Sequence, residues 1–132
     1  MSKELINPAT LFPSVAFGFS HAVVASGSRI VSISGQVAWN AQMQLMGDTL
    51  AEQAKHALKN VQNAVEASGG ALSDIVALRI YIVERAKTNI RDVGPILVEV
   101  FGSNPPASTW IGVSFLAAPD FLIEIEAMAV LP

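Results

Sequence analysis

The sequence predicts a single α+β domain, a mixed sheet with two helices on one face in the order ββαβαββ. Residues 49–70 carry apolar positions at helical spacing between a capping motif and a glycine pair. Two runs, 75–83 and 121–130, alternate with the period of a strand. Elements of both kinds are interleaved over 132 residues, a length that fits one domain covering 1–132.

Residues 1–15 are expected to form an extended arm. The apolar runs 22–25 and 29–34 flank Ser26-Gly27-Ser28 and predict a β-hairpin. Gly35 punctuates the second strand, and a loop follows through Gly47. Thr49-x-x-Glu52 has capping-box spacing: the hydroxyl can accept the amide of the third helical residue, and Glu52 can reach back to the cap. Leu50, Ala54, Ala57, Leu58, Val61 and Val65 then recur at three- and four-residue steps, opposite a polar face of Glu52, Lys55, His56, Lys59 and Glu66. Gly69-Gly70 ends the helix, where a left-handed cap is needed.

Residues 75–83 are rich in β-branched side chains and predict a strand. A second helix is expected over 92–101, with Pro95 tolerated because it falls in the first turn. Gly102 and Pro105-Pro106 close it, and strands follow over 109–115 and 121–130. Alternation puts Val76, Leu78, Ile80 and Ile82 on one sheet face with Ile123, Ile125, Ala127 and Ala129. That face is wholly apolar and should take the helices. The other face mixes Ala77, Tyr81, Leu122 and Met128 with Arg79, Glu124 and Glu126. A solvated face would not need the large apolar groups; a subunit interface with a few placed charges would.

Composition points the same way. Hydrophobic residues make up 52% of the chain and charged ones 14%, against roughly 25% charged in ordinary domains. The surplus apolar surface calls for a homo-oligomer. No run of about 18 apolar residues exists, so a membrane span is not expected. The opening MSKELINPATLFP lacks the apolar core of a signal peptide, which makes a cytoplasmic location the expectation. There is no cysteine for thiolate or disulfide chemistry. Net charge is −3 with lysines and arginines scattered, which argues against nucleic acid as a partner. His21 and His56 are far apart with no third ligand at metal spacing, so no metal site is expected.

Five pieces in order resemble the Rid/YjgF family, also known as the endoribonuclease L-PSP family. They are Ser34-Gly35-Gln36, the capped helix LAEQAKHALKNVQNAVEASGG, the strand IVALRIYIVE, Pro106-Ala107 opening a strand, and Ile123-Glu124-Ile125-Glu126-Ala127. The resemblance covers about residues 14–131. It implies a chorismate-mutase-like fold and a homotrimer with a small-molecule cleft between each pair of subunits. It also implies cofactor-free hydrolysis of enamines and imines, such as 2-aminoacrylate, to keto acids and ammonia.

An imino acid carries a carboxylate, which an arginine grips with two parallel charge-assisted hydrogen bonds. In the family that arginine follows the Pro-Ala pair, and here the position is Ser108. The acid that orients the water matches Glu124, the catalytic candidate. Ser34 and Gly35 match the backbone side of the pocket. The family's cleft tyrosine matches Phe19, a small side chain two residues past the arginine becomes Trp110, and the asparagine of the second helix falls at about Gly94. Phe19, Ser108 and Trp110 together predict a more apolar cleft, less friendly to anions.

Each residue also has a plainer reading. Glu124 could be a structural interface carboxylate, Ser108 a neutral strand-start residue, and Trp110 packing in the trimer. Arg79 could replace the missing arginine or pair with Glu124 or Glu126; pairing is the expectation. Three functions compete: a divergent imine or enamine hydrolase with altered substrate, a non-catalytic trimer that binds a small ligand or a partner, and an endoribonuclease. The even, acidic charge disfavours the last.

Overall fold

The computed structural model describes residues 2–132. Its strands are β1 (Ser2–Ile6), β2 (Ala22–Ser26), β3 (Arg29–Gln36), β4 (Ile75–Val83), β5 (Ala107–Val113) and β6 (Ile123–Leu131). Its helices are α1 (Leu50–Ala67) and α2 (Val93–Phe101), with 3-10 turns at Ser14–Phe17, Leu72–Asp74 and Glu84–Asp92. The predicted ββαβαββ core is present as an α+β fold, with one short strand added in front.

That strand corrects the expected arm. Ser2–Ile6 pairs antiparallel with β2, and Met1, the first residue of the arm, lies outside the described residues. The expected hairpin between 22–25 and 29–34 does not form. β2 pairs only with β1, while β3 joins a four-stranded sheet of order β3-β6-β4-β5. The end of β6 explains the divergence. Ser28 donates its backbone N–H to the Leu131 carbonyl at 2.9 Å and its hydroxyl to Pro132, so Gly27-Ser28 is tied to a third strand. A Cβ on Gly27 would meet Val130 Cγ1 at 2.8 Å, which makes glycine the residue that permits this approach.

β4 runs parallel to β5 and antiparallel to β6, so the sheet is mixed. Parallel pairing begins directly after Pro106, which moves β5 two residues ahead of the expected 109–115. Val76 bulges out of register with β6: Ile75 pairs with Ala129 and Ala77 with Met128. Ile75 therefore takes the buried position expected of Val76. Leu78, Ile80, Ile82, Ile123, Ile125, Ala127 and Ala129 face the helices as the alternation requires, and all are buried.

α1 packs its Ala54, Ala57, Leu58, Val61 and Val65 stripe on this face, and Val93, Ile96, Leu97 and Phe101 of α2 complete the core. Each fully buried leucine, isoleucine or valine contributes about 1.5–3 kcal/mol by leaving water. The Thr49 hydroxyl accepts the Glu52 amide at 3.2 Å, as the spacing predicts. The Glu52 carboxylate, however, takes the Thr49 hydroxyl at 2.9 Å rather than the cap's backbone N–H. Gly69 adopts φ of +91° and Gly70 N–H bonds the Val65 carbonyl, closing the helix. Among the described residues no helix is long and apolar enough to cross a membrane.

Candidate functional site

The open sheet face carries the charges. Cross-strand register sets Arg79 directly opposite Glu126 and Tyr81 opposite Glu124. The Arg79 guanidinium lies 3.9 Å from the Glu126 carboxylate, the pairing expected of it. Tyr81 does not bond its direct partner. Its hydroxyl leans along the diagonal and donates to Glu126. That hydrogen bond, with desolvation behind it, holds the phenol above its ordinary value. A hollow of about 430 Å³ opens beside this pair, bordered by His21, Ser32, Arg79, Thr109, Glu126 and Met128.

Glu126 thus receives both donors on the face, and Glu124 receives none. Among the described residues Glu124 has no ion pair and no side-chain hydrogen bond. Its carboxylate lies against Gly35, where a bulge puts it. Ile33 pairs with Ala127 and Gln36 with Ile125, so Ser34 and Gly35 together oppose Glu126 alone. Two residues against one bend the strand and re-aim the local backbone. A Cβ on Gly35 would sit 2.6 Å from the Glu124 carboxyl carbon, so only glycine leaves this carboxylate its place. Ser34 is exposed beside it, its carbonyl accepting Gln36 Nε2 at 3.1 Å. Ser34, Gly35 and Glu124 form one group.

Phe19, Ser108 and Trp110 form another. Register pairs Ser108 with Leu78 and Trp110 with Ile80, both core-facing, so the two side chains lie on the helix side of β5. The Trp110 indole N–H donates to the Ser108 hydroxyl at 3.2 Å. The far edge of the indole reaches 3.8 Å from where a Cβ on Gly94 would stand, and Trp110 packs against the core there. Phe19 is held next to β5 because Ser20 donates its N–H to Pro106 and its hydroxyl to Pro105. Gly18, at φ +91°, crosses α2 so closely that a Cβ would meet Leu97 at 2.8 Å. Phe19 and His21 rings pack edge-on at 6.0 Å, and Phe12 caps both.

The two groups do not meet within one chain. Glu124 is on β6, two strands from β5, and on the opposite sheet face from Ser108 and Trp110. A spacing of about 4.8 Å per strand puts them roughly 10 Å apart across the sheet alone. The sequence signals missed Tyr81 as the partner of Glu126, because a diagonal contact follows from rotamer and register rather than residue type. They also missed Gln53, which sits on the apolar face of α1 and is buried. Its amide donates to the Gly47 and Asp120 carbonyls and accepts from Leu122 N–H, tying α1 to the entrance of β6. No three His, Asp or Glu side chains converge as a metal site among the described residues.

Fold and sequence together define a Rid/YjgF protein. The endoribonuclease L-PSP family model matches residues 11–131, and the chain belongs to that family. A 2-iminobutanoate/2-iminopropanoate deaminase of Dermatophagoides farinae is 30% identical over 132 residues, covering 99% of each chain. The human 2-iminobutanoate/2-iminopropanoate deaminase is 32% identical over 119 residues, 89% of this chain and 83% of its own. Among solved structures, the conserved Rid family protein YyfB of Yersinia pestis, of unknown function, superposes with a TM-score of 0.93. It is 41% identical, with 99% of this chain and 100% of that one covered. Rv2704 of Mycobacterium tuberculosis, a YjgF/YER057c/UK114 family member, gives a TM-score of 0.67 at 29% identity, with 98% and 100% covered.

Proposed function

We propose that this protein hydrolyses the C=N bond of a small imine or enamine in clefts between the subunits of a homotrimer. The observation that carries the reading is Glu124. It is a half-buried carboxylate with no side-chain partner among the described residues, seated in the notch left by Gly35. A carboxylate so placed can accept a hydrogen from water and aim its lone pair at a carbon nearby. Water adds its oxygen to the imine carbon, the C–N bond breaks, and the nitrogen leaves as ammonia once two protons have reached it. Both protons come from the water, whose oxygen stays on the carbon, so one imine and one water give one carbonyl compound and one ammonia. An enamine enters the same path after tautomerising to the imine.

The trimer is supported by how the two groups are divided. Ser108 and Trp110 lie on the helix side of the sheet, and Glu124, with Ser34 and Gly35 beside it, on the other. A second subunit would complete the site that one chain leaves open. The open face, with Met128 exposed beside Arg79 and Glu126, supplies an interface of mixed character. The relatives named as deaminases act on 2-imino acids; whether this chain shares their substrates is decided by the groups around Ser108.

The test is ammonia release from freshly generated imines, followed with and without the protein. Turnover should fall on the order of 10²-fold or more in Glu124→Gln, with assembly unchanged, as loss of a positioned acid–base group predicts. Equal rates in the two proteins would defeat the assignment of Glu124. No acceleration of any imine would favour a trimer that binds without catalysis.

A further inference from the structure

We infer that the cleft selects a neutral, apolar or aromatic C=N compound rather than an imino acid. The proposal rests on the hydrolytic reading above for the reacting group, while the binding preference stands apart from turnover. An imino carboxylate is held best by a free cation, and the one guanidinium that borders the hollow already faces a carboxylate. The Ser108 hydroxyl accepts the Trp110 indole N–H at 3.2 Å, which takes up the indole donor and leaves at this position a single neutral O–H where a guanidinium would offer a charged pair of donors. The indole reaches from Ser108 to within ordinary contact distance of α2 at Gly94, so its bulk occupies the helix side of β5 next to Ser108.

Arg79 is the remaining cation. It borders the hollow on the open face, yet it faces Glu126 at 3.9 Å, and Glu124 stands on the same side. One guanidinium against two carboxylates leaves that face with a net charge of −1, from +1 and −2, which repels an anion. His21 Nε2 is likewise occupied, donating to the Phe12 carbonyl at 2.8 Å. What the surface offers instead is aromatic. Phe12 and Phe17 are 57% and 54% exposed, their rings 6.2 Å apart, and Phe19 packs edge-on against Phe12 at 6.0 Å. Flat apolar ligands gain from edge and face contacts with such rings.

Benzamide and benzoate make a matched pair of probes, alike in ring and differing in charge. The chain has two tryptophans, so a Trp39→Phe variant leaves Trp110 as the only indole. Quenching of its fluorescence should show benzamide binding about tenfold or more tighter than benzoate, a decade of affinity. Arg79→Met in the same background should leave benzamide binding unchanged at protein concentrations where light scattering shows the trimer intact. Benzoate binding as tightly as benzamide, or a benzoate affinity that disappears in Arg79→Met, would overturn the proposal, as would binding of neither probe. Ligand-observed NMR on the unmodified chain gives the same comparison without relying on the variant's folding. Neither probe is a substrate, so a failure of imine hydrolysis sinks the catalytic reading while this preference is judged on its own.

Discussion

Tyr81 donates its hydroxyl hydrogen to Glu126, not to Glu124, although Glu124 is the residue directly opposite it on β6. The diagonal choice divides the two glutamates. Glu126 is engaged from two sides, by a hydrogen bond from Tyr81 and by the charge of Arg79, and becomes a structural group. Glu124 keeps its lone pairs free beside Gly35. Two carboxylates on one strand, two residues apart, thereby acquire different roles from their neighbours alone.

The pairing can be read by titration. Tyr81 is the only tyrosine, so ultraviolet absorbance reports its phenolate without overlap from another. Its ionisation is expected above the ordinary value of about 10, because the hydrogen bond to Glu126 favours the protonated form. Glu126→Gln should bring it down. The linkage has one sign: the folded pKa is raised, so the stabilisation is fully present below the unfolded value. It is lost as pH rises through the folded value. A phenol titrating normally in the native protein would remove the contact.

Gly35→Ala tests the notch. The added methyl would stand 2.6 Å from the Glu124 carboxyl carbon and 2.7 Å from its Cγ, closer than carbon atoms approach. Either the side chain turns away or the bulge shifts. Imine turnover should fall at least about tenfold, in line with the share a positioned acid–base group supplies. The loss of stability should stay within about 1–3 kcal/mol, the usual range for overpacking a tight site. A crystal structure should show the carboxylate displaced. Full activity in this variant would mean that the position of Glu124 does not matter.

Arg79→Met addresses assembly. An exposed ion pair contributes about 0–1 kcal/mol, so the monomer fold should hardly change. In the proposed trimer the same variant leaves Glu126 without its cation at an interface, where an unpaired charge is costly. Light scattering over a dilution series should find dissociation at higher protein concentration than in the unmodified chain. Assembly that is indifferent to the substitution would move the interface to another face.

The fold was legible where a single period decides it. The α1 stripe and the alternation in β4 and β6 separate helix from strand and inside from outside, and the helical stripe lies where its spacing puts it. The errors came where pairing partners are not local. Gly27-Ser28 has the composition of a hairpin turn, but its hydrogen bonds go to Leu131 and Pro132, more than a hundred residues away. Val76 looked core-facing because a bulge adds one residue and shifts every parity before it. The site was half legible. Gly35 and Glu124 could be named from their motifs, but the contact between them depends on the bulge at Ser34-Gly35. Ser108 and Trp110 could be named too, while their mutual hydrogen bond needed the strand geometry.

That bond governs the last prediction, which concerns restoring an imino-acid site. Arginine at 108 would supply the bidentate grip for a carboxylate. Ser108→Arg alone should nevertheless change 2-iminopropanoate turnover by less than about tenfold, the effect of one pairing worth about 1.4 kcal/mol. Trp110 lies on the same side of β5, two residues on, and its indole would lose its acceptor while still filling the space over Gly94. The guanidinium would be forced outward or onto the indole face, where stacking holds it away from a ligand. Adding Trp110→Val opens that space and keeps a good strand former. It should cost on the order of 2–3 kcal/mol, below a full core truncation because Trp110 is only partly buried. If the double variant remains folded by thermal melting, its 2-iminopropanoate turnover should exceed that of either single variant by an order of magnitude or more. Strong activity in the single Ser108→Arg protein would show that Trp110 does not block the site. Strong activity in the unmodified chain would show that a carboxylate is held by another group, with Arg79 the first to replace.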